Sequence, residues 1–153
     1  MKLLRAFMVL SLCLLLAACS SGPPRRVYPP QATVQELRLQ ADGQVALTLR
    51  VQNFSTVPMT FTRLQATLTL AGAEAARIDV DPALTVGPGS NELVTHAFAP
   101  SPAMKTTLDA TFAGGRSLRY SLAGRIADSE GRDDEFKYDS ALDPVPGLPG
   151  VLR

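Results

Sequence analysis

Few residues of this chain carry overtly reactive side chains, and the most telling is Cys19. It stands at the abrupt border Leu14-Leu15-Leu16-Ala17-Ala18-Cys19-Ser20-Ser21-Gly22, where an apolar run turns polar. A thiol is a nucleophile that can be alkylated, oxidised or paired. The only other thiol, Cys13, lies inside the apolar run, and His96 is the only histidine. Zinc sites combine several His or Cys ligands, which a lone histidine cannot supply. Ser and Asp are plentiful, but no Gly-x-Ser-x-Gly nucleophile elbow accompanies them. The acidic run Asp128-Ser129-Glu130-Gly131-Arg132-Asp133-Asp134-Glu135 offers the oxygen ligands calcium prefers, yet lacks the EF-hand register; an exposed loop explains it as well. No catalytic residue, metal ligand or cofactor is therefore expected, and the chemistry falls on Cys19.

The segment around Cys19 is read from its proportions. Lys2 and Arg5 precede an apolar run from Ala6 to Leu16, about eleven residues or roughly 16 Å as a helix, against a bilayer core of about 30 Å. That is too short to span and has the build of a signal peptide. Ala17 and Ala18 would serve an ordinary signal peptidase, leaving a secreted chain. Leu16-Ala17-Ala18-Cys19 also resembles the bacterial lipobox. That resemblance implies a diacylglyceryl thioether on Cys19, cleavage before it and acylation of the freed amine. Removal of residues 1–18 leaves Cys19 as the single thiol, so no internal disulfide can form. One acyl chain holds a protein only marginally, whereas two or more anchor it stably. In the same resemblance, Ser20 in place of aspartate implies sorting to the outer membrane of a Gram-negative cell, facing the periplasm.

Composition narrows the partners. The chain has 15 Lys+Arg and 14 Asp+Glu, and loss of Lys2 and Arg5 leaves 13 against 14. Near-neutral charge without a basic block excludes nucleic acid as an expected partner. With no Trp, six Phe and three Tyr, the chain offers no aromatic platform for bases or sugars. At 46% hydrophobic and 19% charged residues it can bury a core built mainly from Leu, Val, Ile and Ala.

The elements that follow alternate with period two. Residues 19–31 hold four prolines and read as an extended tether, reaching up to roughly 35 Å at about 3.1 Å per residue. Val45, Leu47, Leu49 and Val51 alternate with polar or small residues, as do Leu64, Ala66, Leu68 and Leu70. Met104, Leu108, Ala110 and Phe112 predict another strand, and Leu118, Tyr120, Leu122 and Ile126 the next. Fainter strands fall at 32–39, 75–80, 93–98 and 134–138. Turn residues separate them, and Gly114-Gly115 reads as a hairpin between two strands. The expected fold is all-β, an antiparallel sandwich of the immunoglobulin or fibronectin III type with about seven or eight strands over residues 32–140. Residues 141–153 form a Pro/Gly-rich tail.

The strand Val45 to Asn53 running into Phe54-Ser55-Thr56-Val57-Pro58-Met59 resembles the late-embryogenesis-abundant type 2 domain, also called the water stress and hypersensitive response (WHy) domain. Its signature is an alternating strand ending in Asn-Pro-Asn, a short gap and a small-apolar pair. Asn53 matches, Phe54 and Ser55 replace Pro-Asn, and Pro58-Met59 occupies the pair. Gly87-Pro88-Gly89-Ser90 and Tyr120-Ser121-Leu122-Ala123-Gly124 continue the similarity. Asn53, Pro58, Met59 and Gly124 are thus expected as structural positions, with Asn53 fixing a turn through its side chain. The resemblance implies a membrane-anchored, non-catalytic domain that protects the envelope under desiccation. A second reading from the strands themselves is an envelope interaction module that offers a sheet edge to a protein partner.

Overall fold

The computed structural model describes residue 22 and residues 24–153. The expected signal segment 1–18, the acylation site Cys19 and the sorting residue Ser20 lie outside the described residues. Nine strands and one helix follow in the order β1 (Gln31–Leu39), β2 (Val45–Gln52), β3 (Met59–Leu70), β4 (Ala73–Val80), β5 (Leu84–Val86), β6 (Asn91–Phe98), α1 (Pro102–Gly114), β7 (Leu118–Asp128), β8 (Asp133–Leu142) and β9 (Val151–Leu152). One sheet has the order β6-β2-β1-β9. The other runs β4-β3-β7-β8, with β5 also pairing β3. All pairings are antiparallel. The fold is the expected all-β sandwich, with nine strands rather than seven or eight.

The alternating runs close the core. Val45, Leu47 and Leu49 are fully buried, and from the facing sheet so are Leu64, Leu68 and Leu122. Each such side chain contributes about 1.5–3 kcal/mol on leaving water. Of three register shifts in the described ladders, two adjust the alternation of the core. In β3 the pairing with β7 shifts between Phe61 and Arg63, so the buried set passes from Met59 and Phe61 to Leu64 and Ala66. One extra residue switches which parity faces the core. In β1 the shift between Val34 and Glu36 leaves Gln35 over. Here Val34 N–H donates across the sandwich to the Tyr120 hydroxyl at 3.3 Å. Burial pushes the Tyr120 phenol up from its ordinary value, while the hydrogen bond from Val34 opposes that rise.

Residues 102–114 correct the sequence reading: they form a helix, not a strand. Ser101 caps it, accepting from Met104 N–H at 3.2 Å, and Pro102 begins it, where a missing N–H costs nothing. The buried side chains are Met104, Leu108 and Thr111, at helical spacing; the parity of Leu108, Ala110 and Phe112 was coincidental. Gly114-Gly115 is accordingly no hairpin. Gly115, at φ 57 and ψ 30, ends the helix in the left-handed conformation, its N–H returning to Phe112 O.

The Pro/Gly-rich segment after residue 141 belongs to the sheet. Val151 and Leu152 pair with Arg38 and Leu37 of β1, and both are buried. Each end of the sandwich therefore gathers segments distant in sequence. One pole carries residues 24–30 and the loops 53–58, 87–90 and 128–132. The opposite pole carries α1 and the turn 145–148.

Candidate functional site at the Asn53 pole

Asn53 ends β2 with a fully buried side chain. Its Nδ2, with two protons, lies 2.9, 3.0 and 3.1 Å from the carbonyl oxygens of Val57, Val86 and Gly87, so one N–H is shared between two of them. Its Oδ1 accepts from Ser55 N–H at 2.8 Å. Its own N–H donates to Ser90 O at 2.9 Å. One amide thus fastens the loop after β2 to the Gly87–Ser90 turn, where Gly89 has the positive φ of 61 that only glycine adopts cheaply. Pro58 follows on the surface and Met59 is buried as the first residue of β3.

The same loop holds the N-terminal approach. Ser55, itself 2% exposed, accepts from Tyr28 N–H at 2.9 Å; Tyr28 O at 3.3 Å and Met59 Sδ at 3.2 Å are alternative acceptors for its one proton. Thr56 Oγ1 accepts from Arg26 N–H at 2.8 Å and donates to Pro24 O at 3.0 Å, while Thr56 N–H donates to Arg26 O at 2.9 Å. Val27 packs against the core and Pro30 is buried. Residues 24–30, expected as free tether, are therefore docked on the domain, and the roughly 35 Å reach does not hold. Sequence pattern could not show this, because the holding atoms lie about thirty residues away in the chain.

Arg25 extends the contact to the acidic run, its Nη2 lying 2.9 and 3.1 Å from the Glu130 carboxylate. Both groups are about half exposed, so the pair contributes little. Asp128, 7% exposed, folds the run into a turn. Its Oδ1 accepts from the Glu130 and Arg132 N–H groups, and its Oδ2 from Arg132 Nε, at 2.8–2.9 Å. Arg125 holds Asp133 and Glu135. The run is cross-braced by arginines, and among the described residues no group of three or more His, Cys, Asp or Glu is placed to hold a metal ion.

The remaining candidates lie apart from this pole. Gly124 sits mid-β7 opposite Ala66, where an added Cβ would lie 2.0 Å from Gln65 O and 2.6 Å from Ala66 Cα. Only glycine permits that strand approach. His96, on β6, stacks on Phe98 with ring centroids 6.3 Å apart. A surface depression of about 680 Å³ lies between α1 and the start of β7 and is lined by Thr107, Thr111 and Arg119 among others. It brings no acid, base and nucleophile together. Of the positions expected from sequence, Asn53 is buried in the loop, Met59 lies in the core, Pro58 is on the surface and Gly124 is mid-β7; Ser55 and Thr56 were not expected to hold the N-terminal segment. Their one visible signal was two hydroxyls directly after a strand-ending asparagine.

The site and fold define an antiparallel β-sandwich organised at one pole by a buried asparagine. No known protein family's sequence profile matches the chain, and no curated protein does. Solved structures similar to it include a protein from Arabidopsis thaliana, 10% identical with TM-score 0.48, covering 85% of this chain and 87% of its own. A candidate late embryogenesis abundant (LEA) protein is 12% identical with TM-score 0.48, covering 87% and 76%. A protein from Archaeoglobus fulgidus is 15% identical with TM-score 0.44, covering 78% and 98%.

Proposed function

We propose that this chain is a lipoprotein anchored through acylated Cys19 in the outer membrane of a Gram-negative cell, facing the periplasm. Its non-catalytic, LEA type 2-like sandwich protects the envelope during desiccation and related stress. The observation that carries the reading is the Asn53 loop. The residue that matches the family signature is buried and fastens two loops, as a signature position should, instead of facing a ligand. The anchor reading rests on Leu16-Ala17-Ala18-Cys19 and on an N-terminal segment that approaches the domain at this same pole. Intact mass of the mature protein tests the anchor: the acyl mass on Cys19 is expected, and an unmodified N-terminus refutes it. Drying a labile enzyme with the non-acylated domain tests the activity. Recovery of enzyme activity above that given by an unrelated sandwich is expected, and equal recovery refutes it.

A second reading, an envelope interaction module, is favoured by β6. Asn53 N–H donating to Ser90 O sets the alternation of the β2–β6 ladder, so the backbone groups of residues 91, 93, 95 and 97 point to the open edge. This eight-residue edge carries Glu92 as its one carboxylate, and Leu93 is 55% exposed; charges and prolines usually blunt such edges. A stoichiometric envelope protein captured with the native lipoprotein, and lost on Thr95→Pro, would replace stress protection with this reading.

A further inference from the structure

The docked N-terminal segment fixes which part of the domain meets the bilayer. This inference rests on the acylation of Cys19 proposed above. Pro24 is held by Thr56, so only the five steps from Cys19 to Pro24 separate the lipid from the folded body. At about 3.6 Å per residue they span at most ~18 Å. Of this, about 5–8 Å is spent crossing the headgroup layer, the difference between the hydrocarbon core and the whole bilayer divided over two faces. Roughly 10 Å remains, while the nine residues of β1 place the opposite pole about 30 Å farther out.

The pole so held presents aromatic side chains. Among the described residues the exposed large apolar side chains are Tyr28, Phe54, Leu93 and Leu148. Tyr28 and Phe54 flank the point where the tether is held. Phe54 stands between Asn53 and Ser55, which are 0% and 2% exposed, so its backbone is fixed while its ring projects. Tyr28 donates its N–H to the Ser55 hydroxyl, whose proton has the Tyr28 C=O and Met59 Sδ as alternative acceptors. Rigid aromatic side chains beside a lipid attachment suit the membrane–water interface, where Tyr and other amphipathic or apolar rings settle. Arg25 and Arg132 pair with Glu130, and Arg132 with Asp128, while Arg26 on the same segment is exposed and joined to the loop through its backbone.

We infer that the pole formed by residues 24–28 and 53–57 rests on the lipid surface, with Phe54 and Tyr28 seated in the headgroup layer and α1 directed away. The contact is interfacial, carried by the two rings.

The chain has no Trp, so single Trp substitutions report position. The full chain, acylated by a bacterial host, is reconstituted into neutral phosphatidylcholine vesicles with brominated acyl chains. Phe54→Trp, Leu93→Trp and Leu148→Trp are compared. The Phe54→Trp indole is expected to be quenched and blue-shifted, and the other two to stay unquenched. In a Tyr28→Trp background, Phe54→Ser should lower the ratio of seated to free domain about tenfold, the worth of burying one aromatic side chain. Vesicle flotation and intact mass are measured on the same samples. If the acylated protein floats yet Phe54→Trp is unquenched, the seating is overturned and the anchor stands. Strongest quenching at Leu93→Trp or Leu148→Trp overturns it equally, because the domain then lies on its β6 side or is inverted. A chain without acyl mass that fails to float overturns both the anchor and the seating.

Discussion

Replacing Asn53 by Ala or by Asp tests the claim that one buried amide holds the pole together. Asn53→Ala strips partners from the carbonyls of Val57, Val86 and Gly87 and from Ser55 N–H. A buried polar group left unpaired costs about 1–3 kcal/mol. Since the Val57 and Gly87 contacts are only part-buried and water can reach those carbonyls, the sum is about 3–5 kcal/mol. Against a total stability of about 5–15 kcal/mol this is a large share. With a urea dependence of about 2 kcal/mol per molar, the unfolding midpoint followed by circular dichroism should fall by about 2 M.

Asn53→Asp keeps the volume and changes the sign of the interaction. A carboxylate cannot donate, and it would face three carbonyl oxygens while buried, so the folded state favours its protonated form. A carboxyl whose folded pKa is raised contributes stability that is present at low pH and lost as pH rises. Asn53→Asp should therefore be at least as unstable as Asn53→Ala at pH 7 and regain part of the loss on acidification, in contrast to the unsubstituted chain. A midpoint within about 0.3 M of the unsubstituted chain, flat with pH, would refute the hub: the loop would then be held by backbone pairing alone.

The other perturbations probe the frame. Gly124→Ala forces a Cβ against Gln65 O and Ala66 Cα and should cost about 3 kcal/mol by separating β3 from β7, read as a lower urea midpoint. The Glu36 carboxyl is held below its ordinary 4.5, first by the hydrogen bond from Arg38 and then by that from Arg153. Its ionised form is the one the fold favours, so its contribution is complete above about pH 4.5 and lost as pH falls further; Glu36→Gln should flatten the acid limb of a stability–pH curve and cost about 1 kcal/mol at pH 7. Ser101→Ala, which removes the α1 cap, and Gly115→Ala, which puts a Cβ at φ 57, should each cost about 1 kcal/mol in chemical denaturation.

Legibility in the sequence followed the range of the interactions. β2 and β7 were readable because each buries one parity along its whole length, a property each strand carries by itself. β3 was readable only beyond its bulge, since the extra residue near Thr62 makes Met59 and Phe61 look out of phase. α1 was misread because Leu108, Ala110 and Phe112 satisfy period two locally; the decisive signal was Ser101-Pro102 with Met104 and Leu108 four apart, a cap and a helical face together. β9 was invisible, since two residues have no period and gain their place only from β1.

The same difference in range separates Asn53 from the two residues that follow it. Asn53 acts in part locally, on Ser55 two residues on and Val57 four residues on. Ser55 acts on a segment far away in sequence, and Phe54 stands beside it. The Ser55 hydroxyl receives the Tyr28 N–H, and Phe54 leaves its ring in solvent beside it. A proline at position 54 would present a smaller ring there. These two residues thus underlie the two features that set this pole apart, a docked N-terminal segment and a projecting aromatic. Asn53 holds the loop, and its two neighbours set what the loop holds and what it exposes.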